Sequence, residues 1–156
     1  MRITLVKAEL NDCPEIYSMQ IKSFAALLDK YQDFEYSPGA EKMERTYERF
    51  HEATTDYWLI VLDKKNIGAI RICDFGEFCK LKQIFILPEF QNYGYAQEVI
   101  MEIESLYPNA LKWELDTILQ EEKLCSLYEK MGYIKTGKVK KLKENMDLVF
   151  YEKNLL

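Results

Sequence analysis

Residues 84–97, Ile-Phe-Ile-Leu-Pro-Glu-Phe-Gln-Asn-Tyr-Gly-Tyr-Ala-Gln, carry the chemistry most open to reading in this chain. An apolar run stops at Pro88, a short polar turn follows, and Gly94-Tyr95-Ala96 opens a helical pattern. That order leaves backbone N–H groups unpaired at a helix N-terminus, where an anion can bind. A glycine there lets the backbone come close to a phosphate. The turn has a single glycine, so it fits neither the dinucleotide fingerprint nor the Walker loop. An ordinary strand-to-helix turn has the same outline, and six residues alone favour that plainer reading. A second set lies in Tyr31-Gln32-Asp33-Phe34-Glu35-Tyr36, where Asp33 and Glu35 alternate with aromatics around Phe34. Two carboxylates among three rings suit a cation, through charge pairing and cation–π contact. A capped, partly buried loop accounts for them equally well.

These residues need elements to hold them. Residues 2–8 alternate as a strand. Asn11-Asp12-Cys13-Pro14-Glu15 then reads as a helix start, with Asp12 as cap and Glu15 three residues on. Tyr17, Ile21, Phe24 and Leu28 recur at helical spacing, so the first helix is expected to run to about Asp29 with that row inward. Residues 30–40 form a loop ended by Ser37-Pro38-Gly39. The second helix should turn Met43, Tyr47 and Phe50 inward and solvate Glu41, Lys42, Glu44, Arg45, Glu48 and Arg49. Residues 57–62 and 67–73 read as a hairpin around Asp63–Asn66, and 79–87 as a long strand into the opening motif. A third helix over 94–106, a strand over 111–115, a fourth helix over 121–131 closed by Gly132, and a hairpin of 133–142 with 146–153 complete the chain. The order β-α-α-β-β-β-α-β-α-β-β predicts an α/β sandwich about a central mixed, mostly antiparallel sheet.

Composition bounds the possibilities. At 156 residues the chain is expected to be one domain over 1–156, burying roughly 70% of its unfolded surface. Net charge is −5 and there is no arginine-rich segment, which argues against nucleic acid as a partner. Lys138, Lys140, Lys141 and Lys143 alternate around Val139 and Leu142, as on the wet side of a strand. No apolar run approaches the ~18–20 residues of a membrane span, and the charged start Met1-Arg2 to Glu9 does not suit a signal peptide. The expectation is a cytoplasmic protein. Its four scattered cysteines are expected to be reduced thiols, although Cys73 and Cys79 could face each other across a hairpin. With no CxxC spacing and His51 as the single histidine, no metal site is expected.

Three stretches together carry a family resemblance. Gln91-Asn92-Tyr93-Gly94-Tyr95-Ala96 matches the pattern Gln/Arg-x-x-Gly-x-Gly/Ala. Residues 121–133 end in Leu127-Tyr128-Glu129-Lys130-Met131-Gly132-Tyr133, and Asp147 to Lys153 forms a last strand. In these motifs and in element order the chain resembles the GCN5-related N-acetyltransferases (GNAT) along its length. The resemblance implies that acetyl-CoA lies in a V between strands 80–87 and 111–115. It implies that the backbone of Phe85, Ile86 and Leu87 holds the pantetheine arm. The N–H groups of Gln91, Asn92, Tyr93, Gly94, Tyr95, Ala96 and Gln97 would then bind the pyrophosphate. Tyr128 matches the tyrosine that returns a proton to the departing thiolate, and a phenol of pKa ~10 suits that task. From its neighbours alone, Tyr128 reads as a core residue.

Two departures from the pattern stand out. Glu121 occupies a position where the family often has an asparagine, and a carboxylate cannot donate the same hydrogen bond. Lys80 and Lys82 stand where some members carry a glutamate base, and lysines replace it only with a large pKa depression. Glu114 or Asp116, beside the splayed strand, could serve as base directly or through water, while each taken singly reads better as a surface carboxylate. The resemblance implies a primary amine of a small molecule or protein as acceptor, with Asp33, Phe34 and Glu35 as its contacts, in a monomer or homodimer. The alternative is an acyl-CoA-binding interaction module with little or no turnover.

Overall fold

In the computed structural model, which describes residues 3–155, the elements follow the expected order. The strands are β1 (Ile3–Lys7), β2 (Thr55–Leu62), β3 (Lys65–Asp74), β4 (Phe78–Ile86), β5 (Lys112–Ile118), β6 (Ile134–Lys143) and β7 (Met146–Asn154). The helices are α1 (Cys13–Tyr31), α2 (Met43–Phe50), α3 (Tyr95–Ser105) and α4 (Glu122–Lys130). Residue 2 of the expected first strand lies outside the described residues. The strands form one sheet in the order β1-β2-β3-β4-β5-β7-β6. Every neighbouring pair is antiparallel except β4 and β5.

That exception opens the sheet. The parallel pair is joined only at Phe78–Lys112, Cys79–Trp113 and Lys80–Glu114. Beyond these residues β4 continues along β3 and β5 continues along β7, so the two strands part. A register shift between Arg71 and Ile72 leaves Lys82 as an extra residue in β4. The extra residue resets the alternation. Leu81 on one side of it, and Ile84 and Ile86 on the other, join one apolar cluster with Val99, Ile100 and Ile103 of α3 and Cys125 and Tyr128 of α4. Phe85 and Leu87 join a second cluster with Tyr57, Leu59 and Ala69 and with Ile16 and Met19 of α1.

Several local expectations are corrected. Asp12 stands at the N-cap position of α1, but its side chain caps no helix N–H. Its carboxylate accepts from the Glu9 N–H at 2.8 Å and closes a short turn over Leu10–Asp12. The buried row of α1 is Cys13, Ile16, Met19 and Gln20, so the helix is rotated from the face that Tyr17, Ile21, Phe24 and Leu28 predict. The α2 face is corrected too: Thr46 and Arg49 are buried while Met43 is exposed. The cause is one ion pair, since Glu41 holds Arg49 on both arms and draws it down. The β2–β3 turn is only Asp63-Lys64, both at positive φ (49° and 69°), which suits the twist of a two-residue hairpin. Among the described residues, no helix is long and apolar enough to cross a membrane.

Candidate active site

The stretch after β4 has the geometry of an anion cradle. A single helical turn over Pro88–Phe90 leads to Asn92 at φ 68° and Gly94 at φ 83°, and α3 begins at Tyr95. The first bond into α3 runs from the Glu98 N–H to the Gly94 carbonyl at 3.3 Å. Among the described residues, no backbone donor from Asn92 to Gln97 has a partner. These amides lie at the N-terminus of α3, the positive end of its dipole. A Cβ on Gly94 would meet nothing within 4 Å, so the glycine is required by its left-handed backbone, with open space above it. Tyr93, 68% exposed, stacks on Tyr95 at 5.8 Å, and Tyr95 is buried. Gln91 turns back: its Nε2 donates to the Ile86 carbonyl at 2.8 Å. That bond ties the cradle to the end of β4, next to Phe85 and Leu87.

Tyr128 projects from α4 into the core at 5% exposure. Its ring packs against Tyr133 and Tyr151 at 6.1 and 6.4 Å. Burial, then the charge of Asp116 and the Cys125 thiol, push its pKa well above the ordinary phenol range. Its hydroxyl makes no hydrogen bond among the described residues, yet it is absent from the fully enclosed polar atoms. Glu114 lies where β4 and β5 part, held by Lys112 at 2.9 Å and by Lys80 at 3.9 Å. Asp116, two residues on, is exposed and forms no ion pair among the described residues.

The loop after α1 separates its expected contacts. Asp33 is buried, and its Oδ1 accepts from the N–H groups of Glu35 and Tyr36 at 3.1 and 3.0 Å. It builds the turn. Phe34 (66% exposed) and Glu35 face outward. Glu121, just before α4, accepts from Lys30 Nζ at 2.7 Å and from the Tyr31 hydroxyl. Lys143 Nζ donates to the Tyr31 carbonyl at 2.7 Å. The end of α1 is thereby tied to the β5–β7 half of the sheet, and Glu121 acts as an anchor.

The sequence reading missed a polar layer under α1 and α2. Arg71 on β3 is 8% exposed, and Tyr57 and Gln83 stand opposite it on β2 and β4. Gln20, Glu41 and Arg49 complete the layer from above. The available signal was an arginine inside the apolar run Ile67-Gly68-Ala69-Ile70-Arg71-Ile72-Cys73.

The cysteines are not part of the site. All four are buried free thiols, and the register sets Cys73 opposite Lys80 and Cys79 opposite Asp74. Burial and the Asp74 carboxylate push the Cys79 thiol up to about 12. Its native thiolate fraction at pH 8 is therefore expected to be on the order of 10³-fold below that of an ordinary thiol. Iodoacetamide labelling with peptide mapping checks this, and rapid native alkylation of Cys79 would contradict it. Among the described residues, no cluster of His, Cys, Asp and Glu has the makings of a metal site.

Comparison with known proteins bears on the same features. The family model described as Acetyltransferase (GNAT) family matches residues 22–133. No curated protein matches the sequence. The spermidine N-acetyltransferase from Vibrio cholerae, solved with CoA and spermine, is similar at 20% identity and TM-score 0.77, covering 98% of this chain and 95% of that one. A GNAT family acetyltransferase from Elizabethkingia anophelis with acetyl-CoA bound is similar at 16% identity and TM-score 0.70, covering 98% of both chains. At these identities the likeness concerns the fold.

Proposed function

Because the chain belongs to the acetyltransferase (GNAT) family, we propose that it moves an acetyl group from acetyl-CoA to a primary amine, by direct attack in a ternary complex. One observation carries this reading: the β4–β5 opening runs into a cradle of unpartnered amides. The fit is chemical. A pyrophosphate needs many donors and a positive end, and residues 92–97 offer both. A pantetheine arm needs an unpaired strand edge, and β4 beyond Lys80 is one.

When bound, acetyl-CoA supplies the thioester carbon that the amine attacks. The outer edge of β4 at Phe85–Leu87 orients that group. Asp116, free of ion pairs, accepts a proton from the amine directly or through water, and Glu114, clamped between two lysines, is the weaker candidate. As the carbon–nitrogen bond forms and the carbon–sulfur bond breaks, Tyr128 gives its proton to the sulfur. Its raised pKa keeps that proton in place until then. Phe34 and Glu35, on the outward side of their loop, meet the arriving acceptor.

The test is thiol release from acetyl-CoA with small amines and lysine peptides, in the wild type and in Gly94→Val. Wild-type turnover is expected with at least one amine. A side chain at φ 83° costs about 1–2 kcal/mol and intrudes where the phosphate approaches. The KM for acetyl-CoA is therefore expected to rise about tenfold. An unchanged KM would sink the cradle assignment. Tight CoA binding without turnover on any amine would reduce the protein to a binding module.

A further inference from the structure

A buried cation without a counter-ion is costly, and Arg71 is such a group. Among the described residues its guanidinium forms no ion pair and no hydrogen bond, and its Nε is fully enclosed. The neighbouring Arg49 differs, because Glu41 takes it on both arms at 2.6 Å. Gln20 Nε2 donates to the same carboxylate at 2.8 Å. Glu41 senses the Arg71 charge but gives its hydrogen bonds to Arg49 and Gln20, so Arg71 is left with no bonded counter-ion. Nor is Arg71 alone: the Tyr57 hydroxyl, Gln83 Oε1 and Gln20 Oε1 are also enclosed without a partner. Buried polar atoms are rarely left so in one place.

The position of this layer matters. Tyr57, Arg71 and Gln83 form a row across β2, β3 and β4. Gln83 lies on the strand that walls the β4–β5 opening, two residues before Phe85. Resting on the acetyltransferase reading above, we propose that this row is the acceptor subsite for a small amino-carboxylate. Arg71 and the Tyr57 O–H grip the carboxylate, and the amine lies toward Gln83 Oε1 and the opening. The forked guanidinium donors match two carboxylate oxygens, and the phenol adds a third bond. The Gln83 amide oxygen accepts from the amine N–H. Neighbouring strands lie roughly 4.8 Å apart, so a molecule with its amine and carboxylate a few bonds apart reaches both ends. A polyamine meets only repulsion at Arg71.

The experiment measures thiol release from acetyl-CoA with the standard α-amino acids and β-alanine, each beside its carboxamide, and with spermidine. Turnover of an amino acid is expected, with kcat/KM lower by about 30-fold for its carboxamide. In Arg71→Gln that preference should fall close to one, with a higher acceptor KM and an unchanged KM for acetyl-CoA. Arg71→Lys keeps the charge without the fork and should recover part of the preference. Equal use of acid and amide by the wild type, or preference for spermidine, overturns the subsite.

If no amine is turned over, the acetyltransferase reading fails, and thermal unfolding decides the subsite alone. An amino acid that raises the Tm of the wild type, but not of Arg71→Gln, upholds it, and no shift with any of them overturns it. The unliganded Arg71→Gln protein is expected to melt at or above the wild-type Tm, because a buried charge with no bonded counter-ion is gone. A marked fall in Tm would identify Arg71 as structural and overturn the proposal.

Discussion

In Tyr128→Phe, kcat is expected to fall about 10²-fold, while the KM for acetyl-CoA and the Tm stay close to wild type. The packing half of this expectation comes from the rings. Phenylalanine keeps the edge contact with Tyr133 at 6.1 Å and the tilted contact with Tyr151 at 6.4 Å. The lost hydroxyl has no hydrogen-bond partner among the described residues, so stability should change by less than about 0.5 kcal/mol. The chemical half comes from the proton. Burial first, and then the Asp116 charge and the Cys125 thiol, raise the Tyr128 pKa above its ordinary value. The phenol therefore contributes no alkaline limb to the kcat profile below about pH 10. The linkage has a definite sign. The fold favours the protonated phenol, so its share of stability is complete below about pH 10 and is lost as pH rises toward the folded value. A pH profile of kcat with parallel thermal unfolding checks both halves. A drop of several degrees in Tm with kcat unaltered would reduce Tyr128 to a core residue.

Gly68→Ala should damage the protein in a different way, through the backbone that carries the donor site. A Cβ at Gly68 would stand 2.0 Å from the Phe85 carbonyl oxygen and 3.0 Å from the Ile86 Cα. Both are main-chain atoms, so no side chain can swing aside. β4 must move, and it moves at the residues proposed to orient the thioester. A loss of about 2 kcal/mol is expected, or roughly 4–8 °C in Tm for a domain of this size. The KM for acetyl-CoA should rise about tenfold with it. The contrast with Gly94 is informative, since a Cβ there meets nothing within 4 Å. Substitution at Gly94 should therefore weaken donor binding with a smaller loss of Tm. Equal Tm losses at the two sites, measured by thermal unfolding beside acetyl-CoA kinetics, would refute this division of roles.

Much of this architecture is legible in the sequence because it is local. The strand ending at Pro88, the left-handed glycine before α3 and Gly132 after α4 each follow from a few neighbouring residues. The polar layer is not local. Nothing near Arg49 in the chain tells that Glu41 holds it against the sheet, and the charge pattern of α2 by itself argues for solvation. The same pairing hides the true face of α1, because Gln20 is buried only where Glu41 and the Pro38 carbonyl receive its amide. Glu121 is a comparable case. Set beside a family pattern it reads as a missing donor, whereas Lys30 and Tyr31 make it an anchor from ninety residues away.

The short β4–β5 join also bears on how the chain is made. Strands β1 to β4 are sheet neighbours in chain order, so half of the sheet can assemble before β5 emerges from the ribosome. Roughly thirty residues separate the end of β4 from the end of β5. At about 5–20 residues per second, β4 spends a few seconds as a bare edge on the nascent protein. An edge ending in Ile84, Phe85 and Ile86 invites pairing with another chain. Lys80 and Lys82 on that strand, and Pro88 just past it, are the residue types that discourage such pairing. Lys80 and Lys82 thus protect the strand before any acetyl group arrives.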